Sequence, residues 1–561
     1  MRTLILQATL VLVFTWLNGI AVGQTTVTFV DSSGALVAAV DAVFFNGGFG
    51  KPIETKEGIG TVKSSEGVVA ATAEGFQYSG GILDSKELKI VLLREDETAP
   101  SVRQTEFPIS DSIRAKTSAA LVAAIKKRIV EEELNPNETA RQMSLAGKLD
   151  PTGTLAWLKE NDLPQQPAMM VRNGIIDGFL RDDFETAIDM LDQIENPMFK
   201  TFKLVSLLSE LPAQHSAAPI IEKQAVAAVR NVKQAAYRIA MWSALAEHYQ
   251  ISGQDASVRK IVDQHLEDVQ KLPSDGWSSL PRSVFAAVII EEKPDVALKM
   301  IEGVKNPNEN WRAEARLAFH CCRTNPELAV ELLRRYEAPE GHGPNTHHVV
   351  KILERMAVEQ TAAAETLADS IETPNHRAWA LGLMALRVNE KNPTKAKLLL
   401  EKAIKTLADP NANQNHLHTS GSTMAGLLHI AQQVAPEKVK SMIWEAAFRA
   451  IPQDHNATAN QKLQHAAGAI ARFDRDLALA LFDVEKLELG DSSENTAFHQ
   501  AVLKVEDLPA YAARVTAAKT SIFHHQQKLV DVLLADEETF WQSVSKPIQM
   551  DWPTLRFEEQ P

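Results

Sequence analysis

Hydrophobic and polar positions follow two different periods along this chain. Between residues 25 and about 97 the apolar residues come in short runs, TVTFV, VAAVDAVFF, GVVAATAEGFQYSG and LKIVLLRE, separated by Gly, Asn, Asp and Ser. Short runs rich in Val, Phe and Thr predict strands of a small sandwich, because residues two apart share one face of a pleated strand. From about residue 100 the apolar spacing lengthens to three and four, beginning with DSIRAKTSAALVAAIKKRIVEEEL, and this predicts helices.

The helical region is punctuated at regular intervals. IENPMFKTFKLVSLL, VKNPNENWRAEARLAFH and IETPNHRAWALGLMAL each place a proline turn before an apolar run, and VRNVKQAAYRIAMWSALA has the same shape with Val232 in the proline's place. Together with LPSD, APEG, ADPN and IPQD, these turns recur every 32 to 42 residues, the length of one helical hairpin in a stacked array. A second signal falls between them. Pro294, Pro326, Pro393 and Pro436 each open a run, at a position where the missing amide has no helical partner to lose. Asn325 and Asn392 precede two of these prolines and can cap the free amides. Ala297, Ala329 and Ala396 follow three residues on, small enough to let paired helices approach; DDFETAIDML and DRDLALALF keep the layout with Ala187 and Ala478. The expected fold class is multidomain: a small N-terminal β-sandwich followed by an all-α helical-hairpin repeat solenoid. The expected divisions are 1–23, an export signal; 24–97, the sandwich; 98–164, a linker with leading helices; 165–540, the solenoid; and 541–561, an irregular tail.

Two resemblances follow from these residues. The first region resembles the carboxypeptidase regulatory-like (transthyretin-like) domain through Asp31 and Gly34, Val37 and Val43, Gly67, the run Ala71, Gly75 and Phe76, and the closing Ile90 to Leu93. Leu36 stands where that family usually has proline. The resemblance implies an accessory module without chemistry of its own. The helical region resembles a tetratricopeptide-repeat array, most clearly at Trp242-x-x-Leu245-Ala246-x-x-Tyr249, with Val258 and Val262 where the second helix packs. Elsewhere Leu317-Ala318, Met384-Ala385 and Ile430-Ala431 keep the large–small pair. In that family the first helix of each hairpin lines a concave groove that holds peptides or partner domains. By position, the resemblance implies a groove containing Ser243, Glu247, Gln250, Arg312, Phe319, Trp379 and Asn389. The alternative for Phe319 and Trp379 is that they fill the space between stacked repeats. Arg238, Arg312 and Arg377 recur near first-helix starts, where a cation opposes the helix dipole, so a carboxylate such as Glu195 or Glu372 is expected to hold them.

Charge and composition narrow the partner. The net charge is −14, from 72 acidic against 58 basic residues; with no Lys/Arg stripe bearing interleaved aromatics, nucleic acid is not expected. The opening MRTLILQATLVLVFTWLNGIAVGQ has a positive end at Arg2, an apolar segment and small residues at Ala21-Val22-Gly23, which reads as an export signal leading to a periplasmic or extracellular chain. No later run is long and apolar enough to span a bilayer. The 2 cysteines, Cys321 and Cys322, are adjacent and give no disulfide framework; packed apolar residues are expected.

Candidate chemistry is sparse. Ser543-x-x-Lys546 matches the spacing of some acyl enzymes without their supporting motifs. His342, His347, His348, His416, His418, His524 and His525 fall in pairs or near-pairs; such pairs bind a transition metal where a third ligand is near, and otherwise are ordinary polar residues. No carboxylate or cysteine repeats at ligand spacing, so no metal or other cofactor is assigned. The leading expectation is an exported, non-catalytic scaffold for a protein or peptide partner. The alternatives are a glycan or cell-surface attachment through the sandwich, using Phe44, Phe49 or Tyr78, and an enzyme whose site folding assembles in the concave face.

Overall fold

The computed structural model describes residues 24–541 apart from 47–49, 107–108, 193, 195, 211–217, 252–253, 273–278, 303–306, 335–345, 372–373, 409–419, 452–458, 482–501, 503, 518–521 and 538. The expected export signal, Phe49, His342, His416, His418, Ser543, Lys546 and the tail after Trp541 lie outside the described residues.

Eight strands build two sheets at the N-terminal end. They are β1 (Thr25–Asp31), β2 (Asp41–Phe45), β3 (Lys51–Pro52), β4 (Thr55–Lys56), β5 (Ile59–Val62), β6 (Gly67–Thr72), β7 (Ser79–Leu83) and β8 (Glu87–Leu92). The sheet orders are β4-β5-β1-β8 and β3-β2-β6-β7, with β1 and β8 parallel. Alternation along β2 and β6 decides how the sandwich sits. Ala42, Phe44, Val69 and Ala71 point into the space between the sheets, beside Val27, Phe29, Ile90 and Leu92. Their neighbours Val43, Phe45, Val68 and Ala70 point the other way and join the core of the helical body. The β3-β2-β6-β7 sheet is therefore buried on both faces, which is why DAVFF and GVVAAT are continuous apolar runs. At the Asp31–Gly34 turn the Asp31 carboxylate accepts from the amides of Ser33 and Ala35, both at 2.9 Å, and these bonds with the Ser33 hydroxyl hold its carboxyl below the usual range.

The helices are α1 (Asp111–Glu132), α2 (Pro136–Leu149), α3 (Pro151–Glu160), α4 (Gln165–Asp182), α5 (Phe184–Asp192), α6 (Pro197–Glu210), α7 (Ala218–Arg230), α8 (Ala235–Ile251), α9 (Asp255–Gln270), α10 (Ser279–Ile289) and α11 (Pro294–Glu302). They continue as α12 (Pro307–Cys321), α13 (Pro326–Arg334), α14 (Thr346–Met356), α15 (Thr361–Asp369), α16 (Pro374–Asn389), α17 (Pro393–Thr406), α18 (Ser420–Val434), α19 (Val439–Ala450), α20 (Ala459–Ile470), α21 (Arg475–Leu481), α22 (Leu508–Ala517) and α23 (Ile522–Leu534). Proline opens α6, α11, α12, α13, α16 and α17, and Pro436 opens a short 3-10 turn leading into α19. Asn325 and Asn392 cap as expected: their side-chain oxygens accept from Leu328 N and Lys395 N, each at 3.1 Å. Ala187, Ala297, Ala329, Ala396 and Ala478 are fully buried where paired helices meet.

From α6 to α21 the helices form pairs, each first helix touching the next: α6 to α8, α10, α12, α14, α16, α18 and α20. Second helices pack on first helices and make no comparable contact with one another, so the first helices form the inner, shorter course of a curved array. The first and last described helices then meet. α1 lies along α22, and α2 touches α23, nearly four hundred residues away. The joint uses a device repeated inside the array. Arg114, Arg238 and Arg282 each stand fourth in their helix. Arg282 donates to Gln270 O at 3.0 Å and to Leu272 O at the end of α9, and Arg238 donates to Val232 O at 3.0 Å beyond α7. Arg114 does the same across the closure, to Leu533 O and to Ala535 O at 3.3 Å. A guanidinium at a helix C-terminus meets the negative end of the dipole and occupies carbonyls left without amides. This corrects the expected carboxylate partner for Arg238; Glu195 and Glu372 lie outside the described residues.

The sandwich docks on α19 and α21. Trp444 lies against the backbone at Gly80, where a Cβ would overlap the indole ring, and Tyr78 meets Phe448 at 5.5 Å between ring centres. The following linker is tied to the same end of the array, Thr105 N donating to Arg472 O at 2.7 Å.

Candidate functional site

The inner course of first helices is where a groove was expected, and the structure sorts its residues. Ser243 is in the core and donates to Ile239 O of its own helix at 2.8 Å. Trp242, Leu245, Ala246 and Tyr249 are buried beside it; the Trp242 ring stacks on His265 at 5.2 Å, and the Tyr249 hydroxyl donates to Glu222 Oε1 at 2.8 Å. The backbone of Glu247, Gln250 and Arg312 is helical, while their side chains, with those of His347, His348 and His524, lie outside the described residues.

Phe319 and Asn389 belong to a ladder joining successive first helices. Arg316 of α12 donates to the Ser283 hydroxyl of α10 at 2.9 Å. Arg355 of α14 stands over the Phe319 ring of α12 at 4.5 Å, a cation–π contact. Arg387 of α16 pairs with Glu354 of α14 at 2.8 Å, and Asn389 donates to Gln433 O of α18 at 3.1 Å. Trp379 is half-buried, and its indole N–H is buried with no acceptor among the described residues. The structure therefore gives Phe319 and Asn389 a stacking role and leaves Trp379 at the edge of the same course.

Below the ladder lie the two cysteines expected to pack, beside a histidine that no sequence motif marked. His320 is buried, and burial, helped by the guanidinium groups of Arg355 and Arg316, holds its imidazole down to about 3. The Cys321 and Cys322 thiols are free and buried, and burial pushes them up to about 12 and about 11. These are poor nucleophiles. Among the described residues no three His, Cys, Asp or Glu side chains gather as a metal-binding set. His525, the described member of its pair, is 4 % exposed.

The aromatics offered for a glycan do not make an open platform. Phe44 lies between the sheets, Phe45 faces the helices, and Tyr78 is covered in part by Phe448. Phe76 packs at the edge of the inter-sheet core with Arg94 at 5.7 Å.

Exposed aromatic surface occurs instead on α6. Phe199 and Phe202, one turn apart, are 37 % and 42 % exposed, and Met170 of α4 is also exposed. On the later first helices, from α8 to α20, no described large apolar side chain is exposed. Sequence reasoning missed this pair. The signal was present in PMFKTFKLVSLL, whose apolar residues cover more of the helix than one packed face needs. Compared with family models, curated proteins and solved structures, the chain matches none. Among the described residues no helix is long and apolar enough to cross a membrane.

Proposed function

We propose that the protein is an exported, non-catalytic scaffold that holds a protein or peptide partner on the first-helix course of its array. The observation that carries this reading is the exposed pair Phe199 and Phe202 on α6, in a layer whose later members keep their large apolar side chains covered. Adjacent exposed aromatics on a rigid helix supply contact area at small entropic cost, as anchors of recognition surfaces do. Trp379, half-buried on the same course, adds partly exposed aromatic surface. The ladder supports this role by fixing the spacing of the first helices. The sandwich, buried into α19 and α21 along a whole sheet face, acts as part of the scaffold.

The test compares the wild-type chain with a Phe199→Ala/Phe202→Ala variant, both immobilised and cross-linked in envelope extract. The same captured protein is expected with the wild type and lost with the variant, at unchanged circular dichroism. Equal capture by both removes the aromatic pair as the site. Export is checked by cell fractionation and N-terminal sequencing, with a mature start near Gln24 expected; an intact Met1 on a chain retained in the cytoplasm overturns it.

A further inference from the structure

One step of the helical course departs from the rest. Among the described residues the backbones of α4 and α6 make fewer close approaches than those of any later pair of successive first helices, and α5 meets α6 only slightly. Charges bridge the gap. Asp177 of α4 receives the Lys203 ammonium of α6 and lies 3.9 Å from that of Lys148 on α2. Asp192, the last residue of α5, accepts from Lys200 of α6 at 2.8 Å and from Gln224 of α7 at 3.3 Å. The exposed Met170, Phe199 and Phe202 belong to the helices on either side, so apolar surface that a tight joint would cover stays open.

We infer that this seam is the hinge of the array: α6 and the helices after it swing away from α4 while the α1–α22 joint stays shut, and Asp177 is the latch. The electrostatics point the same way. Asp177 is one carboxylate between two ammonium groups on different helices, and all three side chains are only partly exposed, Lys203 at 15 %. Removing its charge leaves Lys148 and Lys203 facing each other with no anion between them. A tightly packed joint loses little when one surface pair is lost, but here fewer close backbone approaches stand behind the pair. The inference needs no partner and stands whether or not Phe199 and Phe202 bind one.

The experiment places spin labels on the exposed positions Arg172→Cys and Lys223→Cys, on α4 and α7; the native cysteines are buried and stay unlabelled. Asp177→Asn is expected to move the distance distribution to longer values. It is also expected to raise deuterium uptake of the α6 amides about tenfold, a change of roughly 1.4 kcal/mol in opening, with α1, α16 and α22 unchanged. Asp177→Glu, which keeps the charge, restores the wild-type distribution. In the wild type, salt of about 1 M shortens screening to roughly 3 Å and should reproduce the Asp177→Asn shift; this arm also serves if the variant does not fold. A distribution unmoved by both salt and substitution overturns the hinge. So does uptake that rises equally in α16 and α22, which would mean general loss of stability.

Discussion

The segment from α1 to α5 meets the rest of the array at both ends, and the two meetings are unlike. At one end α1 lies along α22, and Arg114 seals the last carbonyls of α23. Its partners are about four hundred residues away in the chain, and α1 meets α22 more extensively than any two successive first helices from α6 to α20 meet each other. At the other end α5 and α6 are neighbours in sequence, α4 and α6 make few close backbone approaches among the described residues, and Asp177 receives Lys203 across them. Chain proximity needs no packing to hold two elements near each other, whereas a contact between distant segments must offset its own loop-closure entropy. The distant joint is accordingly the rich one.

Four changes probe this contrast, from the largest effect to the smallest. Gly174 of α4 lets α2 come so close that a Cβ would overlap the Ser144 carbonyl. Gly174→Leu should part the two helices that link the joints and cost about 4 kcal/mol, read from the urea midpoint; a loss under about 1 kcal/mol would mean the crossing yields easily. His320 sits far from both joints in sequence and is the control for general stability. Its value lies near 3 when folded against 6.5 for the free group. Its contribution is thus fully present above pH 6.5 and is lost as pH falls toward 3. Between those limits the unfolded chain takes up a proton that the folded chain refuses. Wild type should lose on the order of 3 kcal/mol more than His320→Gln between pH 6.5 and about 4, and parallel pH profiles would show the imidazole to be readily protonated in place.

Arg114→Ala tests the closure itself. It removes charged donors from two carbonyls and should cost about 2 kcal/mol, with faster amide exchange in α1 and α23 and none at the seam. Exchange that rises first at α6 would reverse the ranking of the joints. Smallest is Lys438→Ala, which breaks an exposed pair with Glu401 at 2.9 Å. A melting change above about 1 kcal/mol there would show that the outer ion pairs act as a network.

Much of this fold is legible in the sequence because its signals are local. Pro326 with Asn325 and Pro393 with Asn392 announce helix starts that side-chain caps then make, and Ala297, Ala329 and Ala396 mark the paired faces. Closure is not local: Arg114 reads as one arginine on an amphipathic helix, and only the fold brings it to Leu533. The groove residues were hard to place for a different reason. α8 is buried around most of its circumference, so Ser243 carries no polar-face signal to say which way it points. Phe199 and Phe202 escaped notice for the opposite reason: an apolar run does not say which of its residues the fold leaves uncovered.

The docking of the sandwich carries a consequence for how the chain is made. Val43, Phe45, Val68 and Ala70 leave the ribosome early, yet the helices that cover them, 439–450 and 475–481, come almost last. At about 5–20 residues per second, the interval is roughly 20–80 s. For that time the newborn module shows one finished face and one naked one, and whatever shields the second governs the yield of intact molecules.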